Sequence, residues 1–189
     1  MTIPVNVFYP TRAHAKQLEV LNDPARFKLL RAGRKWRKTS LGISWLLENV
    51  LLGKQGLTYP FILPYQNQAR DTVWRDHVTR LEHELVNKKV PYKKNEQEMS
   101  LTFPNQARKK LYGSDNKTAL LSASNWGALV VDEIDSCQLD LWELVLRPNL
   151  MTHKAPSIVM GMPKGMLNMW RLTHTSGSAR RRCGGSAGS

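Results

Sequence analysis

Apolar residues along this chain fall into two kinds of segment, short unbroken runs and longer stretches in which they recur every three or four positions. Phe27-Lys28-Leu29-Leu30 is a short run that leads into a basic, glycine-containing turn at 32–38. Beyond it, Leu41, Trp45, Leu46, Val50 and Leu51 keep helical spacing, which predicts a helix over about 38–52, ended by Gly53 and Gly56. A strand is expected at 59–63, closed by Pro64. A second helix follows from Gln66 to about Asn87, with Ala69, Val73, Val78, Leu81 and Leu85 on one face. Residues 99–103 and 108–112 read as two strands joined by Pro104-Asn105-Gln106. Ala128-Leu129-Val130-Val131 is an unbroken apolar run ending in Asp132-Glu133, the pattern of a strand buried on both faces. A helix at 139–146 should stop before Pro148, and 157–160 should form the last strand. Alternation of this kind predicts an α/β fold, a mostly parallel sheet flanked by helices.

The chain has 189 residues, 41% of them hydrophobic and 23% charged, enough for the core of one domain and too apolar for global disorder. Lys and Arg total 28 against 15 Asp and Glu, a formal charge of +13 that favours a polyanionic partner. No apolar run approaches the roughly 18 residues of a membrane span, and the opening residues lack the apolar stretch of a secretory leader. Cys137 and Cys183 lie far apart and suggest neither a disulfide framework nor a metal site. The expectation is a soluble, cytosolic protein.

The composition changes near residue 171. The stretch SGSARRRCGGSAGS has no hydrophobic period, so 1–170 is read as the domain and 171–189 as a disordered Gly/Ser/Arg tail. Arg171, Arg180, Arg181 and Arg182 give the tail four positive charges, leaving 28 − 4 = 24 bases against 15 acids in the body. The basicity therefore belongs to the domain itself. The tail reads either as a nucleic-acid-touching arm or as the remnant of a truncated or frame-shifted larger protein; its short block of charge favours the remnant.

Two segments carry candidate chemistry. A strand that enters a Gly- and Lys-bearing turn and then a helix opening with Lys38-Thr39 suggests a phosphate cradle, because unpaired N–H groups at a helix N-terminus attract anions. Against G-x-x-x-x-G-K-[ST], the stretch Ala32-Gly33-Arg34-Lys35-Trp36-Arg37-Lys38-Thr39 keeps the Lys and the hydroxyl and replaces both glycines. Taken alone, a surface basic turn explains it better. The second segment, Leu129-Val130-Val131-Asp132-Glu133, sets two carboxylates at the edge where open α/β sheets bind ligands. Asp132 is suited to a Mg²⁺ water shell and Glu133 to orienting or deprotonating a water. A solvated strand end is the plainer reading of either acid alone, and the two segments together make the stronger case.

From about Tyr9 to Lys164 the chain resembles the large terminase subunits of tailed bacteriophages, the ATP-driven motors that package viral DNA. Arg31-Ala32-Gly33-Arg34-Lys35-Trp36-Arg37-Lys38-Thr39-Ser40 is similar to the family's R-x-G-R-R-[FW]-G-K-T-S loop. Leu63-Pro64-Tyr65-Gln66-Asn67-Gln68-Ala69 looks like its proline-bearing segment after the second strand. Leu111-Tyr112-Gly113-Ser114-Asp115-Asn116, Val130-Val131-Asp132-Glu133, Trp142-Glu143 and Leu146-Arg147-Pro148 follow in family order. Gly161-Met162-Pro163-Lys164-Gly165 looks like the G-T-P-K-G coupling turn. The resemblance implies a P-loop NTPase-type sheet with helices on both faces and a site for ATP and Mg²⁺. Lys38 would bind the β- and γ-phosphates, with Gly33, Lys35 and Ser40 in the same loop. Thr39 would ligate Mg²⁺ with the support of Asp132. Glu133 would activate water, Arg34 would act as an electrostatic trigger for hydrolysis, and Gln17, with Tyr9 upstream, would read adenine. Implied partners are double-stranded viral DNA, a portal protein, a small terminase subunit and further copies in a ring, in the host cell cytoplasm.

Three residues depart from the family pattern. Arg37 stands where the loop normally has Gly, and its Cβ and side chain are expected to crowd the phosphates. Met162 replaces the coupling-turn threonine, and Leu120-Leu121-Ser122 lies where Leu-Arg-Gly is usual. The sequence thus leaves two readings, a motor ATPase and a catalytically impaired P-loop relic that binds nucleic acid without hydrolysing ATP. A helicase-like translocase would need a second motor domain. No room is left for a terminase's nuclease domain, so no nuclease activity is expected.

Overall fold

The computed structural model describes residues 15–162 except Leu139. Tyr9, residues 163–165 of the coupling-like turn and the tail at 171–189 lie outside the described residues.

Seven strands form one sheet in the order β1-β7-β6-β2-β5-β4-β3. They are β1 (Phe27–Arg31), β2 (Thr58–Leu63), β3 (Lys93–Asn95), β4 (Ser100–Thr102), β5 (Arg108–Gly113), β6 (Leu129–Val131) and β7 (Ser157–Gly161). The five from β1 to β5 in that order pair in parallel, and β4 and β3 add an antiparallel edge. The expected mostly parallel α/β sheet is what the chain forms. Leu129, Val130 and Val131 are fully buried, as an unbroken apolar strand requires when helices cover both faces.

The helices are α1 (Ala15–Asn22), α2 (Lys38–Leu52), α3 (Gln66–Gln68), α4 (Thr79–Asn87), α5 (Lys117–Ser122) and α6 (Arg147–Thr152). On one face, Leu41, Leu46, Leu47 and Val50 of α2 join Phe61, Val73, Val78 and Leu85 in a single apolar cluster. On the other, Leu120, Trp126, Trp142, Leu146 and Leu150 pack over Ile62, Leu129, Val131 and Val159. Gly42 seats α2 close to the sheet: a Cβ there would meet Met160 Cε at 2.8 Å and Val130 Cγ1 at 2.9 Å.

Four elements depart from the sequence expectation. The run from Gln66 to Asn87 is helical throughout, but its middle, Ala69–Val78, is π-helical. Ala69, Val73, Trp74 and Val78 are its buried residues, so the widened turns keep one side of the segment on the core. The helix expected to stop before Pro148 instead continues, through a π-helical turn at Trp142–Leu146 and into α6, as far as Thr152. Pro148 follows directly on the widened turn, in which the Arg147 N–H bonds to the Trp142 carbonyl five residues back, and the helix runs on past it. Strand β3 and helix α5 carry no sequence signal. All three residues of β3 are exposed, and α5 spans six residues capped by the Asn116 side chain.

Candidate functional site: a phosphate-type loop facing two acids

The loop between β1 and α2 ends on two residues with left-handed backbone, Lys35 at φ 65° and Arg37 at φ 59°. Such angles favour glycine, and each costs a side-chain-bearing residue about 1–2 kcal/mol. Arg37 takes the conformation that glycine would supply, and its side chain is exposed to solvent.

Lys38, the first residue of α2, turns its ammonium back on the loop and donates to the carbonyls of Ala32 at 2.7 Å and Gly33 at 3.0 Å. Burial lowers its pKa, opposed by Asp132 and Glu133. The next residue, Thr39, donates from Oγ1 to Oδ2 of Asp132 at 2.6 Å, across 93 positions of sequence. The other Asp132 oxygen accepts from the backbone N–H of Glu133 at 2.9 Å. Asp132 is only 3% exposed. Burial raises its pKa, and the Thr39 hydroxyl and the Glu133 amide pull it back down.

Glu133 leaves β6 with left-handed backbone (φ 53°, ψ 42°) and is half-buried. Its Oε2 accepts from Gln68 Nε2 at 2.8 Å. Asp135, in the short turn Ile134–Ser136, accepts the Met162 N–H on Oδ2 at 2.8 Å, while its Oδ1 is buried without a partner among the described residues. Burial raises its pKa. The turn that carries the acids is thereby tied to the exit of β7.

These residues enclose a cleft of about 530 Å³ at the C-terminal edge of the sheet. Gly33, Arg34, Lys35, Lys38, Thr39, Ser40, Asp132 and Glu133 all line it, so the structure gathers the loop and acid residues named from the sequence at one place. Gln17 lies elsewhere. It is 5% exposed, and its Nε2 donates to the carbonyl of Trp36 at 2.9 Å, so its amide braces the loop from behind. His77, from the π-helical segment, also lines the cleft, and burial lowers its pKa. Sequence reading passes over His77, Gln68 and Asp135 as site residues. Only Gln68 carries a signal, its place in the proline-bearing segment after β2.

A Mg²⁺ ion takes hard oxygen ligands and keeps several waters. The Thr39 hydroxyl and the Asp132 carboxylate, held 2.6 Å apart in the cleft, fit such an ion. Among the described residues no group of three or more His, Cys, Asp or Glu forms a metal cage. No helix among the described residues is long and apolar enough to cross a membrane.

No family model and no curated protein matches the chain by sequence. Solved structures match it by fold. The large terminase ATPase domain of Thermus phage P74-26 superposes with a TM-score of 0.71 at 15% identity, over 88% of this chain and 70% of that one. The large terminase of bacteriophage HK97 gives 0.69 at 16% identity, over 86% of this chain and 36% of its own. The large terminase of a thermophilic bacteriophage, in complex with ATP-gamma-S, gives 0.60 at 14% identity, over 78% of this chain and 37% of its own; it has also been solved with ADP. The motifs in the sequence and the likeness of the folds point the same way, and the chain is built on the fold of the phage large-terminase ATPase domain.

Proposed function

We propose that this chain is the ATPase domain of a viral DNA-packaging motor, which couples hydrolysis of Mg-ATP to movement of double-stranded DNA. The observation that carries the proposal is the Thr39–Asp132 hydrogen bond, which closes the lysine-headed helix onto the acid-tipped strand beside Glu133. The complexes of the thermophilic phage's terminase with ADP and ATP-gamma-S support a nucleotide as the ligand.

In this reading the phosphates enter over the N-terminus of α2, whose free N–H groups and positive dipole end favour anions. Lys38 exchanges the carbonyls of Ala32 and Gly33 for β- and γ-phosphate oxygens. Thr39 and Asp132 would hold Mg²⁺, which would supply positive charge to offset that developing on the phosphates. Glu133 takes a proton from water as the water oxygen bonds to the γ-phosphorus and the bond to the β-bridging oxygen breaks, leaving ADP and phosphate. Arg34 lies in the loop as the trigger that stabilises the transferring group. Gly33, Lys35 and Ser40 complete the cradle, and Gln17 serves it through Trp36.

Arg37 takes the left-handed backbone that glycine would supply, and it is exposed while lining the cleft, so the choice between a working site and a blocked relic falls to the Arg37→Gly comparison. The formal charge of +13 suits a grip on DNA phosphates without base reading. A portal protein, a small terminase subunit and a ring of copies in the host cytoplasm complete the proposal. Calorimetric titration of Mg-ATP and a turnover assay test its core. Lys38→Ala is expected to lose binding, and Glu133→Gln to bind ATP but lose turnover. Equal hydrolysis by wild type and Glu133→Gln overturns the assignment of the base.

A further inference from the structure

We propose that Gln68 is the positioning residue for Glu133, fixing one carboxylate oxygen and leaving the other to receive the proton of the attacking water. The proposal rests on the reading of Glu133 as general base.

The contact is a 2.8 Å hydrogen bond from Gln68 Nε2 to Glu133 Oε2, between residues 65 positions apart. Among the described residues it is the one hydrogen bond that the Glu133 carboxylate makes. Without it, three side-chain torsions of a half-buried glutamate would be free to turn in an open cleft. The left-handed backbone of Glu133 fixes the direction in which the side chain leaves, and the Gln68 amide fixes where it ends.

Gln68 is itself held from the far side of the sheet's edge. Two residues before it, Gln66 Oε1 accepts the N–H of Gly113 at 2.5 Å, and the N–H of Gln66 donates to Asp115 Oδ1 at 3.0 Å. The fit admits only glycine at 113, since a Cβ there would collide with the backbone of Gln66 and the carboxylate of Asp115. Directly after Gln68 the helix widens into its π-helical segment, a device common at functional sites because it re-aims side chains. The end of β5 thus sets α3, and α3 sets the glutamate.

The test compares wild type, Gln68→Met, Glu133→Gln and the double variant in the full chain. Methionine keeps the length and helix propensity of glutamine and removes the donor. We expect Gln68→Met to lower kcat by about tenfold or more while KM for ATP stays within twofold, because Glu133 acts on water and does not bind the nucleotide. In the Glu133→Gln background the same change should add no further loss. A readout free of turnover is the ¹⁵N side-chain amide resonance of Gln68, expected to shift in Glu133→Ala; in a chain inactive on its own, that resonance decides. Unchanged kcat in Gln68→Met, a fall matched by a rise in KM, or an amide resonance indifferent to Glu133→Ala overturns the inference. If Glu133→Gln is inactive while Gln68→Met is not, only this inference fails. If Glu133→Gln turns over like wild type, the underlying reading of Glu133 fails first.

Discussion

Thr39 and Asp132 share a 2.6 Å hydrogen bond in which each meets the other's need. The hydroxyl supplies a donor to a carboxylate that is 3% exposed, and the carboxylate anchors the first turn of α2 to the end of β6. Thr39→Val removes the donor and keeps the shape, leaving a buried acceptor unsatisfied. The expected cost is about 1–3 kcal/mol of stability, read by urea denaturation, together with weaker binding of Mg-ATP in calorimetry. A variant as stable as wild type would show that water replaces the hydroxyl.

Arg37 bears a backbone strain that glycine does not. Arg37→Gly should raise stability by about 1 kcal/mol, the left-handed strain relieved less the extra chain entropy of glycine. Arg37 lines the cleft, so the motor reading expects affinity for Mg-ATP to change little when it is replaced. ATP binding that emerges only in the glycine variant would instead favour the relic reading.

Gly42 lets α2 lie close on the sheet, with Met160, Val130 and Phe61 within 3.3 Å of any added Cβ. Gly42→Ala should cost about 1–3 kcal/mol through overpacking. It should also weaken ATP binding, since lifting the helix shifts Lys38 and Thr39 relative to Asp132. Thermal melting and calorimetry report the two effects separately.

Lys109 is 1% exposed, and its Nζ has no hydrogen-bond partner among the described residues. Burial lowers its pKa from 10.5 to about 7. The unfolded chain therefore binds one more proton than the folded chain between pH 7 and 10.5, and stability rises with pH across that window. Lys109→Met should stabilise the domain at pH 7 by on the order of 3 kcal/mol and flatten this rise. Parallel pH–stability curves for the two proteins would contradict the assignment.

The parts of the molecule that the sequence makes legible are those whose signal is local. The apolar run at 128–131 with its two acids, and the helical spacing from Leu41 to Leu51, each specify an element and its end. Contacts across the sheet leave no such mark. Nothing near Gln68 says that its amide reaches a glutamate 65 positions away. Lysine in a strand ordinarily reads as exposed, so Lys109 looks like surface although it lies in the core. Resemblance assigns Gln17 to the nucleotide site, but which atom it touches depends on packing that no pattern encodes. Pro148 misleads because a proline ordinarily ends a helix, whereas here a widened turn stands directly before it and the helix runs on.

Asp135 joins the turn that bears Glu133 to the backbone leaving β7 through the Met162 N–H. That amide belongs to the main chain, so no side-chain replacement at residue 162, short of proline, removes the strap. A side chain without a hydroxyl at residue 162 therefore leaves the acid-bearing turn fastened to the end of β7.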